Sequence, residues 1–119
     1  EKSLEMLKAH EEALNIFSVS PANRNPYFNM VEEKGDGYVK LVKEGNFLSR
    51  QAAPVVYDMN ASFYIFSSNF FKRSFSGAIT EKTLAYNVPH LCFDLDEPID
   101  FEFMEFLLSK DKLNFEFIK

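Results

Sequence analysis

The run FDLDEPIDFEF, residues 93–103, places four carboxylates between Asp94 and Asp100, with strongly apolar residues on both sides. If HLCFDL forms a strand, Asp94 and Asp96 point to the same face with Cα atoms about 6.6 Å apart, and Leu95 points into the core. Two like charges at that separation repel by about 2.5 kcal/mol at an effective dielectric near 20. A hard divalent cation would offset the repulsion, and Mg²⁺ typically takes one or two carboxylates together with substrate phosphates. The competing reading is that Asp96 only caps the following helix and Asp94 is solvated. Asp100 and Glu102 read as first-turn acids favoured by the helix dipole. An EF-hand loop is excluded, because its fifth and sixth positions fall on Pro98 and Ile99, where an oxygen ligand and a glycine are required.

Three further groups could bind a ligand. Arg50 and Gln51 lie in SRQAAP, a turn between apolar segments. A guanidinium grips a carboxylate through two parallel hydrogen bonds, although an ordinary surface arginine satisfies the same pattern. Asn60, Ser62 and Tyr64 alternate along one strand face and offer groups able to hold a sugar's hydroxyls and amides. His10 and His90 have no second ligand at metal-site spacing and read as structural or surface residues. The single cysteine, Cys92, stands in an apolar run and reads as a core filler. No Ser-His-Asp arrangement, Walker loop or GxGxxG motif is present.

The elements that must position these groups alternate in type. Leu4, Leu7, Ala13 and Leu14 predict a helix over residues 2–15. IFSVS predicts a short buried strand, closed by Pro21. YFNMVEEKGDGYVKLV predicts a β-hairpin with a glycine turn. Such a hairpin is marginal alone and calls for a partner surface. FLSRQAAPVVYDM is irregular, with Pro54 against a central strand. NASFYIF has apolar or aromatic groups on both faces and predicts a central strand. Ser67 or Ser68 could cap a short helix in SSNFFKR. KTLAYNVP and HLCFDL are strand candidates, and Pro98 starts a helix running to about Ser109. The layering is α/β, with a mixed sheet and some antiparallel content. Ligands of such sheets bind beyond the carboxyl ends of strands, where Asp94 and Asp96 would stand.

Composition narrows the function. The 119 residues suit a single domain rather than two. A hydrophobic fraction of 46% supports a core, and the 14 Phe are read as core aromatics. A net charge of −5 with no basic stripe argues against nucleic-acid binding. No 18-residue apolar stretch suggests a membrane span. The lone cysteine favours a reducing, cytoplasmic setting. The chain opens inside a helical pattern, from which a trimmed amino terminus is expected.

Taken in order, SVSPANRNPYFNMVE, RQAAPVVYDMNASFYIF and FDLDEPIDFEFMEFLL resemble the carboxyl-terminal half of the acylneuraminate cytidylyltransferases, the CMP-sialic acid synthetases and their relatives acting on legionaminic or pseudaminic acid. The resemblance covers residues 1 to about 108. It implies part of a Rossmann-like nucleotidyltransferase fold, with residues 26–50 as a protruding hairpin exchanged in a homodimer. It implies an enzyme that couples CTP to a nine-carbon 2-keto sugar acid and releases pyrophosphate. Asp94 and Asp96 would hold Mg²⁺ at the triphosphate, with Arg50 meeting the sugar carboxylate or a phosphate. Gln51, Asn60 and Tyr64 would complete the substrate site, the Arg-Gln pair serving the partner's site. The chain departs from the family in two ways. Ala52 stands where an acidic residue follows Arg-Gln in many relatives, and the family's Gly/Ser/Lys-rich triphosphate loop is missing. The 119 residues alone are therefore expected to be inactive. The rival expectation is a non-catalytic α/β dimerisation module.

Overall fold

The computed structural model describes residues 1–113. They form helix α1 (Lys2–Ala9), strands β1 (Asn15–Pro21), β2 (Val31–Glu33), β3 (Val39–Leu41), β4 (Tyr57–Phe66) and β5 (Thr83–Asn87), and helix α2 (Pro98–Ser109). Single 3-10 turns occur at Arg50–Ala52 and Phe70–Lys72. The expected α/β layering with a mixed sheet is observed. The ambiguous tail KLNFEFIK lies almost wholly outside the described residues. The chain divides into two units, residues 21–58 and the remainder.

In the larger unit a three-stranded sheet runs in the order β4-β1-β5. Strand β1 pairs parallel with β5, Asn15 opposite Thr83 through Val19 opposite Asn87. Against β4 it is antiparallel, since Ser67 N donates to Leu14 O and Phe63 N to Ser18 Oγ. The central strand is therefore β1 rather than β4. Its residues Asn15–Val19 are all buried, as a strand covered on both faces requires. Leu7, Leu14, Ile16, Phe17, Val19, Val88, Leu107 and Leu113 make up the core of this unit.

Two polar side chains are buried inside that core. Asn15 has no exposed surface, yet its amide is engaged at both ends: Nδ2 donates to Ala78 O at 2.7 Å, and Oδ1 accepts from Thr83 Oγ1 at 2.8 Å. Thr83 Oγ1 in turn accepts the Thr80 N–H at 2.8 Å. The loop entering β5 is thus tied to β1 by a closed set of bonds, as buried polar groups demand. Ser18 is 1% exposed, and its hydroxyl faces the Phe63 backbone at 3.1 Å from N.

Several elements differ from expectation. Helix α1 stops at Ala9, where the cap residue His10 turns extended (φ −107°, ψ 90°) because the following residues must enter the sheet. Residues 90–95 form no strand; Pro89 lacks a ladder donor and no further strand flanks β5 among the described residues. The Phe70–Lys72 turn has no side-chain cap, so Ser67 and Ser68 do not play the expected role. The buried Ser67 Oγ has no hydrogen-bond partner among the described residues. Helix α2 begins at Pro98 as expected, behind Glu97 as N-cap. Of its expected apolar side, Leu107 is buried, whereas Ile99, Phe103 and Phe106 are 62%, 49% and 55% exposed.

The smaller unit contains the hairpin. Strands β2 and β3 pair antiparallel from Val31 opposite Leu41 to Glu33 opposite Val39. Gly35 and Gly37 both take left-handed φ (+85° and +84°), which explains the glycines of KGDG. Lys40 Nζ and Glu32 Oε1 form a cross-strand ion pair at 2.9 Å. The first strand starts later than alternation suggested. Asn25 and Asn29 instead close a turn, with Oδ1 of Asn25 accepting from Tyr27 N and Oδ1 of Asn29 accepting from Asn25 N. The Tyr27 and Phe47 rings meet edge to face with centroids 5.1 Å apart.

Candidate functional site

Strand β4 and the segment leading into α2 build a mainly apolar cleft with a few polar groups in the larger unit. It has a volume of about 170 Å³ and is lined by Asn60, Ser62, His90, Cys92, Met104 and neighbouring apolar groups. Its floor depends on a local departure from strand geometry. Ala61 has φ +54°, a left-handed conformation that costs an L-residue about 1 kcal/mol or more and marks a kinked or bulged strand. The kink lets the Asn60 side chain turn back on its own strand, so that Ser62 N donates to Asn60 Oδ1 at 3.2 Å. The other end of the amide, Nδ2, donates to Ser20 Oγ at 2.7 Å.

Across the cleft, Cys92 is half-buried rather than a core filler. Its Sγ lies 3.3 Å from His90 Nδ1 and 3.7 Å from Ser62 Oγ. His90 therefore belongs to the cleft wall. His10 is a helix-end residue, its Nδ1 2.8 Å from Met6 O. Strict period-two alternation would have put Asn60, Ser62 and Tyr64 together. The structure gathers Asn60 and Ser62 but leaves Tyr64 out of the lining residues. Its ring packs near Phe17, at 6.0 Å, and stacks on Phe66, at 6.4 Å.

The acidic segment follows directly. Phe93 is anchored on α2 by Phe103, their ring centroids 5.5 Å apart. Asp94, Leu95 and Asp96 then project beyond this anchor, all exposed, Leu95 by 52% rather than buried as the strand reading required. Asp100 Oδ2 accepts the backbone N–H groups of Asp96 and Glu97 at 3.0 and 2.8 Å. The helix start is thus closed by Asp100, and neither the Asp94 nor the Asp96 side chain has a hydrogen bond or ion pair among the described residues. No group of three or more His, Cys, Asp or Glu that could hold a metal ion occurs among them. Without a strand over residues 90–95, the period-two geometry expected to turn Asp94 and Asp96 to one face is not present.

Arg50 and Gln51 fall in the smaller unit, on the 3-10 turn, and both are exposed. No helix of the described residues is long and apolar enough to cross a membrane. Sequence reasoning missed Ser20 and the Cys92–His90 wall. The signal for the first was the position of Ser20 at the end of β1, next to the strand that carries Asn60.

Fold and cleft together define an α/β protein whose polar groups collect beside the sheet, ahead of an acidic helix start. No family model matches the chain. Two curated relatives, both from Campylobacter, align over 99 residues, which is 83% of this chain. The "Post-translational flagellin modification protein B" of Campylobacter coli is 41% identical. The "CMP-N,N'-diacetyllegionaminic acid synthase" of Campylobacter jejuni is 42% identical. By this relationship the chain is similar to part of the CMP-sialic acid synthetases, as the three ordered segments indicated. The match spans 42% of the length of each relative.

Proposed function

We propose that this chain is part of a Mg²⁺-dependent cytidylyltransferase that joins CMP from CTP to a nonulosonic acid and releases pyrophosphate. The observation that carries the reading is the 42% identity over 99 residues to a protein named as a CMP-N,N'-diacetyllegionaminic acid synthase. Asp94 and Asp96 are the proposed metal ligands, supported by their exposure and by the absence of a competing partner for either side chain among the described residues. Arg50 and Gln51 are proposed to meet the sugar carboxylate or a phosphate. Asn60 and Tyr64 are proposed for the sugar pocket.

The chemistry explains why such groups are needed. The nucleophile is the sugar's anomeric hydroxyl and the target is the α-phosphate, so two anions must be brought together. Mg²⁺, when bound, would screen their charges and stabilise the departing pyrophosphate. The chain's own work is positioning. Asp100 holds the backbone of Asp96 and Glu97, Phe93 pins the segment to α2, and Asn60 presents an amide whose orientation is set by two hydrogen bonds. A guanidinium from Arg50 would bind the sugar acid as a planar, two-pronged donor.

A homodimer that exchanges the hairpin is part of the proposal. Every residue of β2 and β3 is exposed, with Val39 and Val31 at 60% and 58%, and Tyr38 just before β3 is 71% exposed. A two-stranded ribbon of this kind is stabilised by packing on another surface. No Gly/Ser/Lys-rich triphosphate loop occurs in the 119 residues, so these residues alone are expected not to turn over.

The test is pyrophosphate release from CTP and a nonulosonic acid by the complete gene product, with Asp94→Asn and Asp96→Asn variants beside it. At least one substitution should cost on the order of 100-fold in turnover, the scale of a lost transition-state charge contact. Near-normal rates in both would remove the metal assignment while leaving the transferase reading open to the wild-type assay.

A further inference from the structure

We infer that Ser20 is the positioning residue that pins the Asn60 amide in place for the sugar acid. The inference rests on the reading of Asn60 as a sugar-pocket residue. An asparagine side chain has two donor hydrogens and an acceptor oxygen with two lone pairs. In this structure one donor goes to Ser20 Oγ at 2.7 Å and one lone pair receives Ser62 N–H at 3.2 Å. A single N–H and a single lone pair are left beside the cleft that Asn60 and Ser62 line.

The Ser62 bond alone would hold only the oxygen end. Rotation of the amide by half a turn would set Nδ2 against the Ser62 N–H, donor against donor, so Ser62 decides which end is which; the Ser20 hydroxyl, able to donate or accept, pins the other end and with it the plane of the amide. The serine also sits where its strand can act. It is near the carboxyl end of β1, two residues beyond the buried Ser18, whose hydroxyl meets the Phe63 backbone of the same kinked strand. Two hydroxyls of β1 therefore flank the Ala61 kink on the β1 side, Ser18 bound to Phe63 and Ser20 bound to Asn60. The ligand chemistry this favours is a group that both accepts from an amide N–H and donates to a carbonyl oxygen, such as a sugar hydroxyl.

The test uses the complete gene product, with KM for the sugar acid and KM for CTP measured separately by pyrophosphate release. Ser20→Ala should raise the sugar-acid KM roughly 5-fold, the scale of one neutral hydrogen bond, and leave the CTP KM within 2-fold of wild type. Ser20→Thr, which keeps the hydroxyl, should restore the sugar-acid KM. In an Asn60→Ala background, Ser20→Ala should add nothing. If Ser20→Ala fails to fold, Ser20→Cys, close in shape and a weaker acceptor, answers the same question.

Equal rises in both KM values would overturn the inference, because they report general damage to the sheet. An unchanged Ser20→Ala beside an impaired Asn60→Ala would overturn the positioning role while keeping Asn60 in the pocket. An unchanged Asn60→Ala would remove the pocket assignment and this inference with it. Absence of wild-type turnover with any nonulosonic acid would strike the cytidylyltransferase reading itself.

Discussion

Replacing Asn15 by alanine tests whether the core of this protein is held by polar satisfaction as well as by packing. The side chain is fully buried at the start of the central strand, and its amide bonds Ala78 O and Thr83 Oγ1. Each neutral hydrogen bond contributes about 1 kcal/mol net, and a buried group left without a partner costs roughly 1–3 kcal/mol. Thr83 Oγ1 already lies 3.3 Å from Ala78 O, so the two groups left behind can partly satisfy each other. The expected loss from Asn15→Ala is therefore about 2–4 kcal/mol, measured as a shift in the urea midpoint at constant slope. Asn15→Leu separates the causes. It keeps the branched shape and leaves no cavity but removes both bonds, so it should be as damaging as alanine, whereas a pure cavity effect would be largely repaired by it. Thr83→Val should couple to Asn15→Ala in a double-mutant cycle by roughly 0.5–3 kcal/mol. Full rescue by leucine, together with zero coupling, would refute the argument.

Other outcomes follow from particular residues. Ala61→Gly should be neutral to within about 1 kcal/mol in thermal unfolding, because relief of the left-handed φ offsets the added freedom of the unfolded chain; Ala61→Val should destabilise by about 1–2 kcal/mol. Gly45→Ala should destabilise the hairpin unit by about 1–3 kcal/mol, since the added Cβ overlaps the Phe47 ring and lies 3.1 Å from Tyr27 Cδ1; limited proteolysis within 21–58 would report it. Glu12 and Lys82 pair at 2.8 Å, and the hydrogen bond between them lowers the Glu12 pKa and raises that of Lys82. The pair's small contribution should be present near neutral pH, fall away on the acid side as Glu12 is protonated, and fall away again as alkaline pH rises through the Lys82 pKa. Both groups are solvent-exposed, so Glu12→Gln should narrow the difference in Tm between pH 7 and pH 3 only slightly, and 0.5 M salt should erase the effect.

Much of this protein is determined by local sequence. The buried strand IFSVS, the glycine hairpin, the irregular stretch through Pro54 and the helix from Pro98 to Ser109 all follow from periodicity, turn chemistry and proline placement, because those signals act within a few residues. The ordered segments also carried the family likeness, since relatedness is a property of sequence itself.

What the sequence alone could not determine depends on contacts between distant residues. Which strand lies in the middle of the sheet is decided by pairing, and it placed β1 between β4 and β5. Residues 90–95 look like a strand but find no ladder partner in the described chain, so Asp94 and Asp96 are presented by an irregular segment pinned through Phe93. Regular alternation grouped Tyr64 with Asn60 and Ser62, whereas in the structure the Tyr64 ring packs near Phe17 and Phe66. The Asn60–Ser20 and Asn15–Thr83 bonds span 40 and 68 positions. Side-chain hydrogen bonds of that reach form only once the sheet has brought the strands together, and no pattern along the chain encodes them.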